Sequence, residues 1–458
     1  MTSTWVLKTK SAAELPQRLR TAALTSNDRE YALEMAHLIA VVGMKRHHSI
    51  REQSSEENEE RCTKFMRSLM LSFCQSMVID VRFSKIQHYN RGFDDFSDSW
   101  ILNNTRFRNK HDCRLAFLSL KLPAEGFILS NRARVSSEEA WLVTLYRVTL
   151  PRRPVDVVDV FGHETTFWSR AITHTLKYIL LNWYYLIGDN IPFWAPSFPL
   201  FNAKINLKIK SLGFQYDEVL IGLDHSGRHQ LTFIIDCIII RICNFMAGAL
   251  TRGINARRKS ALLQRAFYTG WKKMSGLKCQ TVNLPNGMHL DVYGPLACRR
   301  SDSRLRRMSK IEEKLANVQL DIQHKYTAFG DSAYQRSEFM YTMNSGRNLT
   351  NRQIQENACL CAVREPIEWG NKEIKNYFKS LNYSNGLRLG SMPVCEMILF
   401  SFLMTNVLCC LYGNQTSEYF HCLPPTLERY LSQGPRHYDW RERCNYEDDI
   451  VIEEYILL

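Results

Sequence analysis

Near residue 230 the hydrophobic period of the chain changes, and that change restricts the fold more than any other feature. Leu231 to Ile235 is a compact apolar run that reads as a strand ending in Asp236. Leu277 to Leu284 alternates, Pro285, Asn286 and Gly287 make a hairpin turn, and Met288 to Tyr293 returns. A helix is predicted from Asp302 to about Leu320, then a short strand over Tyr326 to Phe329 broken by Gly330 and Asp331, then a long helix carrying Glu365 and Glu368. Strand, hairpin, helix, strand and helix in that order predict an α/β domain with a mixed sheet flanked by helices.

An acid stands at each junction of this succession: Asp236, Asp302, Asp331 and Glu368. A carboxylate ending a buried strand is expensive unless something offsets the cost, and a divalent metal ion does so. Taken singly, an Asp at a helix start or a turn is explained by capping and backbone preference. Taken together, four acids brought to one place would suit two-metal phosphodiester chemistry, which needs carboxylates within about 4 Å of an ion pair.

Ahead of this core, residues 96 to 190 read as short helices. Ser136 and Glu139 form a capping box before Trp141, Leu142, Leu145 and Val148, and Pro151 and Pro154 end that helix. A second helix from Pro154 to Phe161, a turn at Gly162 and a third helix capped by Thr165 or Thr166, carrying Phe167, Ile172, Leu176 and Ile179, suit a helix-turn-helix. Its second helix would offer His163, Thr165, Thr166, Ser169 and Arg170 to a DNA groove, although any helical domain contains such a pair. Residues 1 to 95 form a helical extension, with apolar spacing from Asp28 to Lys45 and a polar linker from Arg51 to Arg61, and they carry no recognisable chemistry. Residues from about 190 to 227 make a junction, and residues 431 to 458 a polar and then acidic tail.

The net charge of +13 favours a polyanionic partner. Its distribution points to DNA: Arg257, Arg258, Lys259, Arg265, Lys272, Lys273, Lys278, Arg299, Arg300, Arg304, Arg306 and Arg307 crowd the stretch around the candidate acids, where a solvated basic face is the blander account. With 45% hydrophobic and 23% charged residues the chain is outside the range of a disordered one. Its fourteen cysteines contain no CxxC pair, which argues against structural zinc, and no hydrophobic leader follows Met1, so reduced thiols in the cytosol or nucleus are expected. The apolar run from Met397 to Leu411 is short for a bilayer and reads as a buried helix, so no membrane partner is expected.

The segments FIIDCIII, LLQRAFYTGWKKMSGLKCQTVNLPNGMHLDVYGPLACRRSD, AFGDSAY and VREPIEWG resemble, in order and spacing, the core of Harbinger-type DDE transposases over roughly residues 225 to 430. The resemblance implies an RNase H-like DDE catalytic core at 191 to 430 preceded by the helical helix-turn-helix region, with Mg2+ or Mn2+ on Asp236, Asp302, Asp331 and Glu368. Asp236, Asp331 and Glu368 would form the triad, with Asp302 either a fourth ligand or the second Asp. It implies a metal-dependent DNA endonuclease or transposase acting in the nucleus, and allows a Myb-like accessory DNA-binding protein and a homo-oligomer. Cys237, Trp271 and Ser301 depart from the family's usual Gly, His and His, which leaves open a domesticated, catalytically silent DNA-binding protein. A protein-interaction module, in which the acids merely cap loops, is the remaining rival.

Overall fold

Five strands carry the architecture: β1 (His229–Arg241), β2 (Met274–Asn283), β3 (His289–Ala297), β4 (Lys325–Gly330) and β5 (Met340–Thr342). Their order across the sheet is β3-β2-β1-β4-β5, with β1–β2 and β2–β3 antiparallel and β1–β4 and β4–β5 parallel. This is the strand order and sense of the RNase H-like fold, and helices flank the sheet. The computed structural model describes residues 88–213, 229–243, 264–318 and 325–444. The helix expected at Asp28 to Lys45, the linker at Arg51 to Arg61, part of the junction, the basic residues Arg257, Arg258 and Lys259, and the acidic tail from Glu447 lie outside the described residues.

β1 does not end at Asp236 as the hydrophobic run suggested. Cys237 to Arg241 stay extended and pair with β2, from Asp236 opposite Thr281 to Arg241 opposite Gly276, because the isoleucines here favour a pleated, half-buried strand. What ends near Asp236 is the neighbour β4, whose pairing with β1 stops at Ile234 opposite Phe329. The β2–β3 turn forms as expected. Gly287 has φ +82, and a Cβ there would collide with Asn414, whose amide donates to the Gly287 carbonyl at 3.0 Å.

The helix predicted from Asp302 is two: α7 (Asp302–Ser309) and α8 (Ile311–Asn317). The break is Lys310, left-handed at φ 52, directly after Ser309, whose buried hydroxyl donates to the Arg306 carbonyl and accepts from the Gln280 amide. The long helix α9 (Asn351–Tyr377) holds Pro366 in its interior. Proline cannot donate to the Ala362 carbonyl one turn earlier, and the Tyr419 hydroxyl takes its place at 3.2 Å.

The N-terminal helices are α1 (Asp98–Thr105), α2 (Lys110–Ser119), α3 (Ser137–Thr149), α4 (Pro154–Phe161), α5 (Thr165–Trp183) and α6 (Phe198–Ser211). They share one continuous core with the sheet: the Trp183 indole donates to the Leu120 carbonyl, and the Tyr184 hydroxyl donates to Val292 on β3. The Ser136 hydroxyl caps α3 by accepting from Glu139 N–H, but the buried Glu139 carboxylate turns instead to His88 and the Arg91 amide. α10 (Val394–Tyr412) is long and apolar enough to cross a membrane, yet 89% of its most apolar window is buried inside the protein. Residues 431–444 pack against the sheet: Arg443 grips fully buried Asp291 with two 2.6 Å contacts, and Lys314 stands 3.3 Å from the same carboxylate.

Candidate active site

The parallel pairing of β1 and β4 sets Asp236 and Asp331 side by side. Ile234 faces Phe329 in register, and a Cβ on Gly330 would meet Ile235, so the next pair along the two strands is Asp236 and Asp331. Asp331 opens the following turn, where its carboxylate accepts from the Ala333 amide at 2.9 Å. That turn rests on α7: the Ser303 hydroxyl donates to the Ala333 carbonyl, and Arg306 donates to the Gln335 carbonyl. Asp302, the first residue of α7 after the N-cap Ser301, is thereby drawn to the same neighbourhood.

Glu368 reaches the site from α9. Arg364, Glu368, Asn371 and Lys375 follow one another at helical spacing and share the face turned to β1. The Asn371 amide donates to Asp236 at 3.4 Å, and the Lys375 ammonium donates to the Ile239 carbonyl at 3.0 Å. Arg364 bridges two of the acids, one guanidinium nitrogen standing 3.9 Å from Asp236 and 3.8 Å from Glu368. Its Nε is buried and has no hydrogen-bond partner among the described residues. Glu365 is near enough to Tyr419 for its charge to help raise the pKa of that hydroxyl, after burial.

Charge at the centre is strained. The Asp236 side chain is only 16% exposed, and burial raises its pKa to about 6. The Cys237 amide, donating to it at 2.8 Å, and Arg364 pull the other way, while Asp331 and Asp302 push it further up. Asp302 is held by Lys278 of β2 at 2.8 Å, and the same ammonium donates to the Arg300 carbonyl at 2.7 Å. Below the acids, buried Tyr334 packs on Gly330, with its hydroxyl 3.3 Å from the Cys237 thiol. Burial raises both groups' pKa values, so both stay neutral.

These four acids offer hard oxygen donors, which suit Mg2+ or Mn2+ in kind. The buried, like-charged Asp236 is the group that a divalent cation would relieve. As the side chains stand, however, no three His, Cys, Asp or Glu among the described residues are close enough together to hold one ion. Arg364 and Lys278 supply the local positive charge instead. The sequence marked Lys278 only as one cation of the basic run and did not mark Arg364, although the helical stripe through Arg364 was a visible signal.

The basic residues divide. Lys272 and Lys273 are exposed in the turn before β2, beside Trp271, which is 91% exposed. Arg299, Arg304 and Arg307 are also exposed. Arg300 and Arg306 are buried; Arg306 pairs with Glu312 at 3.2 Å, so both belong to the fold more than to an open DNA path. On α5, Thr166, Ser169 and Arg170 face outward, joined to α4 through Gly162 at φ 71. The N-cap of α5 is Glu164, which accepts a hydrogen bond from the Thr166 hydroxyl and places negative charge where a phosphate would approach.

A family model described as DDE superfamily endonuclease matches residues 252–409. The match spans Asp302, Asp331 and Glu368 and begins after Asp236. No curated protein and no solved structure matches the chain.

Proposed function

We propose that this chain is a Harbinger-type DDE transposase, or a nuclease derived from one, that cleaves DNA phosphodiesters and in a mobile element joins strands. The observation that carries the reading is the placement of Asp236 and Asp331 just past the end of the β1–β4 ladder, beside a helix whose Arg364 stands near both Asp236 and Glu368. Asp236, Asp331 and Glu368 would hold the metal ions, Mg2+ or Mn2+. Asp302, fixed by Lys278, is the outer fourth acid, which favours Asp331 as second member of the triad. When bound, the ions activate water or a 3′-hydroxyl and stabilise the leaving oxygen.

The protein's own groups position the DNA. Lys272, Lys273, Arg299, Arg304 and Arg307 give exposed positive charge for the phosphate backbone. A divalent cation on Asp236 and Glu368 would compete with Arg364, whose guanidinium would then suit a phosphate oxygen. Thr166, Ser169 and Arg170 form a second DNA contact, a Myb-like protein or a second copy completes target choice, and the work is nuclear.

The test is cleavage of a labelled duplex with Mn2+ by wild type, Asp236→Asn and Glu368→Gln, each checked for folding by circular dichroism. Cutting by wild type alone supports the reading. Salt-dependent binding without cutting supports a second one, a domesticated and catalytically silent DNA-binding protein, which the cations already seated on Asp236, Glu368 and Asp302 favour. Absence of both binding and cutting sinks both.

A further inference from the structure

Away from the acids, a cavity of about 380 Å³ lies between the loop joining α3 to α4 and the segment that follows α9. Arg147, Arg152 and Arg153 line one side of it, and Ser380, Tyr383, Leu387 and Met397 line the other. Arg147 is 7% exposed and makes no hydrogen bond or ion pair with any described residue. Most buried arginines lie against a carboxylate or a set of carbonyls, because an unpaired buried guanidinium is costly.

The one acid lining this cavity is committed elsewhere. Asp156 accepts from the Arg153 amide at 2.7 Å and from the Arg153 guanidinium at 2.9 and 3.1 Å. Arg152 directs its donors to Tyr146 and Asn104. A fourth cation, Arg106, lies close enough to Arg152 to repel it. The cavity therefore carries an excess of positive charge around one guanidinium with free donors, and burial with only partial relief from Asp156 lowers the Arg147 pKa.

We propose that this cavity binds a phosphate-type oxyanion, with the Arg147 guanidinium as its principal donor. Guanidinium forks match the paired oxygens of a phosphate. The volume lies in the range of small-molecule sites, and the apolar wall of Leu387 and Met397 suits the organic part of a phosphate ester. The source of the phosphate is either a free ester or the backbone of bound DNA.

Thermal unfolding of the full chain in sodium phosphate, in thymidine 5′-monophosphate and in sodium chloride at equal ionic strength tests it. In wild type, Tm rises with the logarithm of phosphate or nucleotide concentration and stays flat in chloride. Arg147→Met unfolds in chloride at the wild-type Tm or above and loses the response. Arg153→Gln, altered at a side chain that is 78% exposed, folds whatever happens to the core and weakens the apparent affinity by about tenfold. Phosphate and chloride acting alike on wild type, or an undiminished response in both variants, overturns the proposal. Displacement of the nucleotide by duplex DNA assigns the anion to a DNA backbone; failure to displace it assigns it to a free ester, and either supports the site.

Discussion

Asp236→Asn should make the metal-free protein more stable at neutral pH. Burial lifts the Asp236 pKa from an ordinary 3.8 to about 6, so the folded state prefers the protonated acid. A rise of that size corresponds to about 3 kcal/mol, reduced to about 2–3 kcal/mol because water still reaches part of the carboxylate. An acid whose pKa rises on folding binds its proton more tightly in the native state. The penalty is therefore fully present above about pH 6, shrinks as the pH falls from 6 toward 4, and vanishes below that. The asparagine keeps the shape and carries no charge, so it removes the penalty.

The assay is urea unfolding of both proteins in EDTA from pH 4 to 8, read as the difference between them, which cancels groups they share, such as buried His289. The asparagine protein should be more stable by about 2–3 kcal/mol at pH 7.5 and equal to wild type near pH 4. Adding Mn2+ should raise the wild type and leave the variant unchanged. A variant less stable than wild type at pH 7.5 in EDTA would refute the reasoning, because Arg364 would then outweigh burial.

Other outcomes follow from the same charges. Asp291→Ala strands the buried Arg443 guanidinium and should cost about 3–5 kcal/mol in urea unfolding, with no dependence on metal. Arg364→Gln removes the cation that competes for Asp236 and Glu368 and should tighten Mn2+ binding, measured by calorimetry, by about tenfold or more. Trp271→Ala should leave stability within about 0.5 kcal/mol, since the ring is 91% exposed, while weakening single-stranded DNA binding in a polarisation assay by about 1–3 kcal/mol if bases stack on it.

The period change near residue 230 carried the sheet, and the turn at Gly287 and the helices Pro154–Phe161 and Asn351–Tyr377 were readable for the same reason: local pattern and special backbone residues decide them. What was hidden depends on contacts far apart in sequence. The continuation of β1 beyond Asp236 is decided by partners on β2, and the helix break at Lys310 by a buried serine. Arg300 and Arg306 look like surface cations in a basic run, yet β2, Glu312 and the turn after β4 bury them. Arg147 sits in the last turn of an apolar helix where a sequence shows only a helix-ending cation; its isolation becomes visible when the segment after α9 closes over it.

Two guanidinium contacts in this protein differ: Arg443 and Asp291 are buried, whereas Arg364 is partly exposed and its partner Glu368 is exposed. Arg443 meets Asp291 at 2.6 Å through two oxygens, the geometry of a pair built to stay. Arg364 stands at 3.8 and 3.9 Å from its acids, beyond hydrogen-bonding distance. Burial, meanwhile, raises the Asp236 pKa to about 6, so its charged form is disfavoured where it stands. A costly acid facing a loosely held cation is what a binding site for a stronger cation requires, since functional sites are where local stability is given up. Arg364→Gln separates a metal site that Arg364 covers from one that Arg364 has replaced: tighter Mn2+ binding by the variant means cover, and no Mn2+ binding by either protein means replacement.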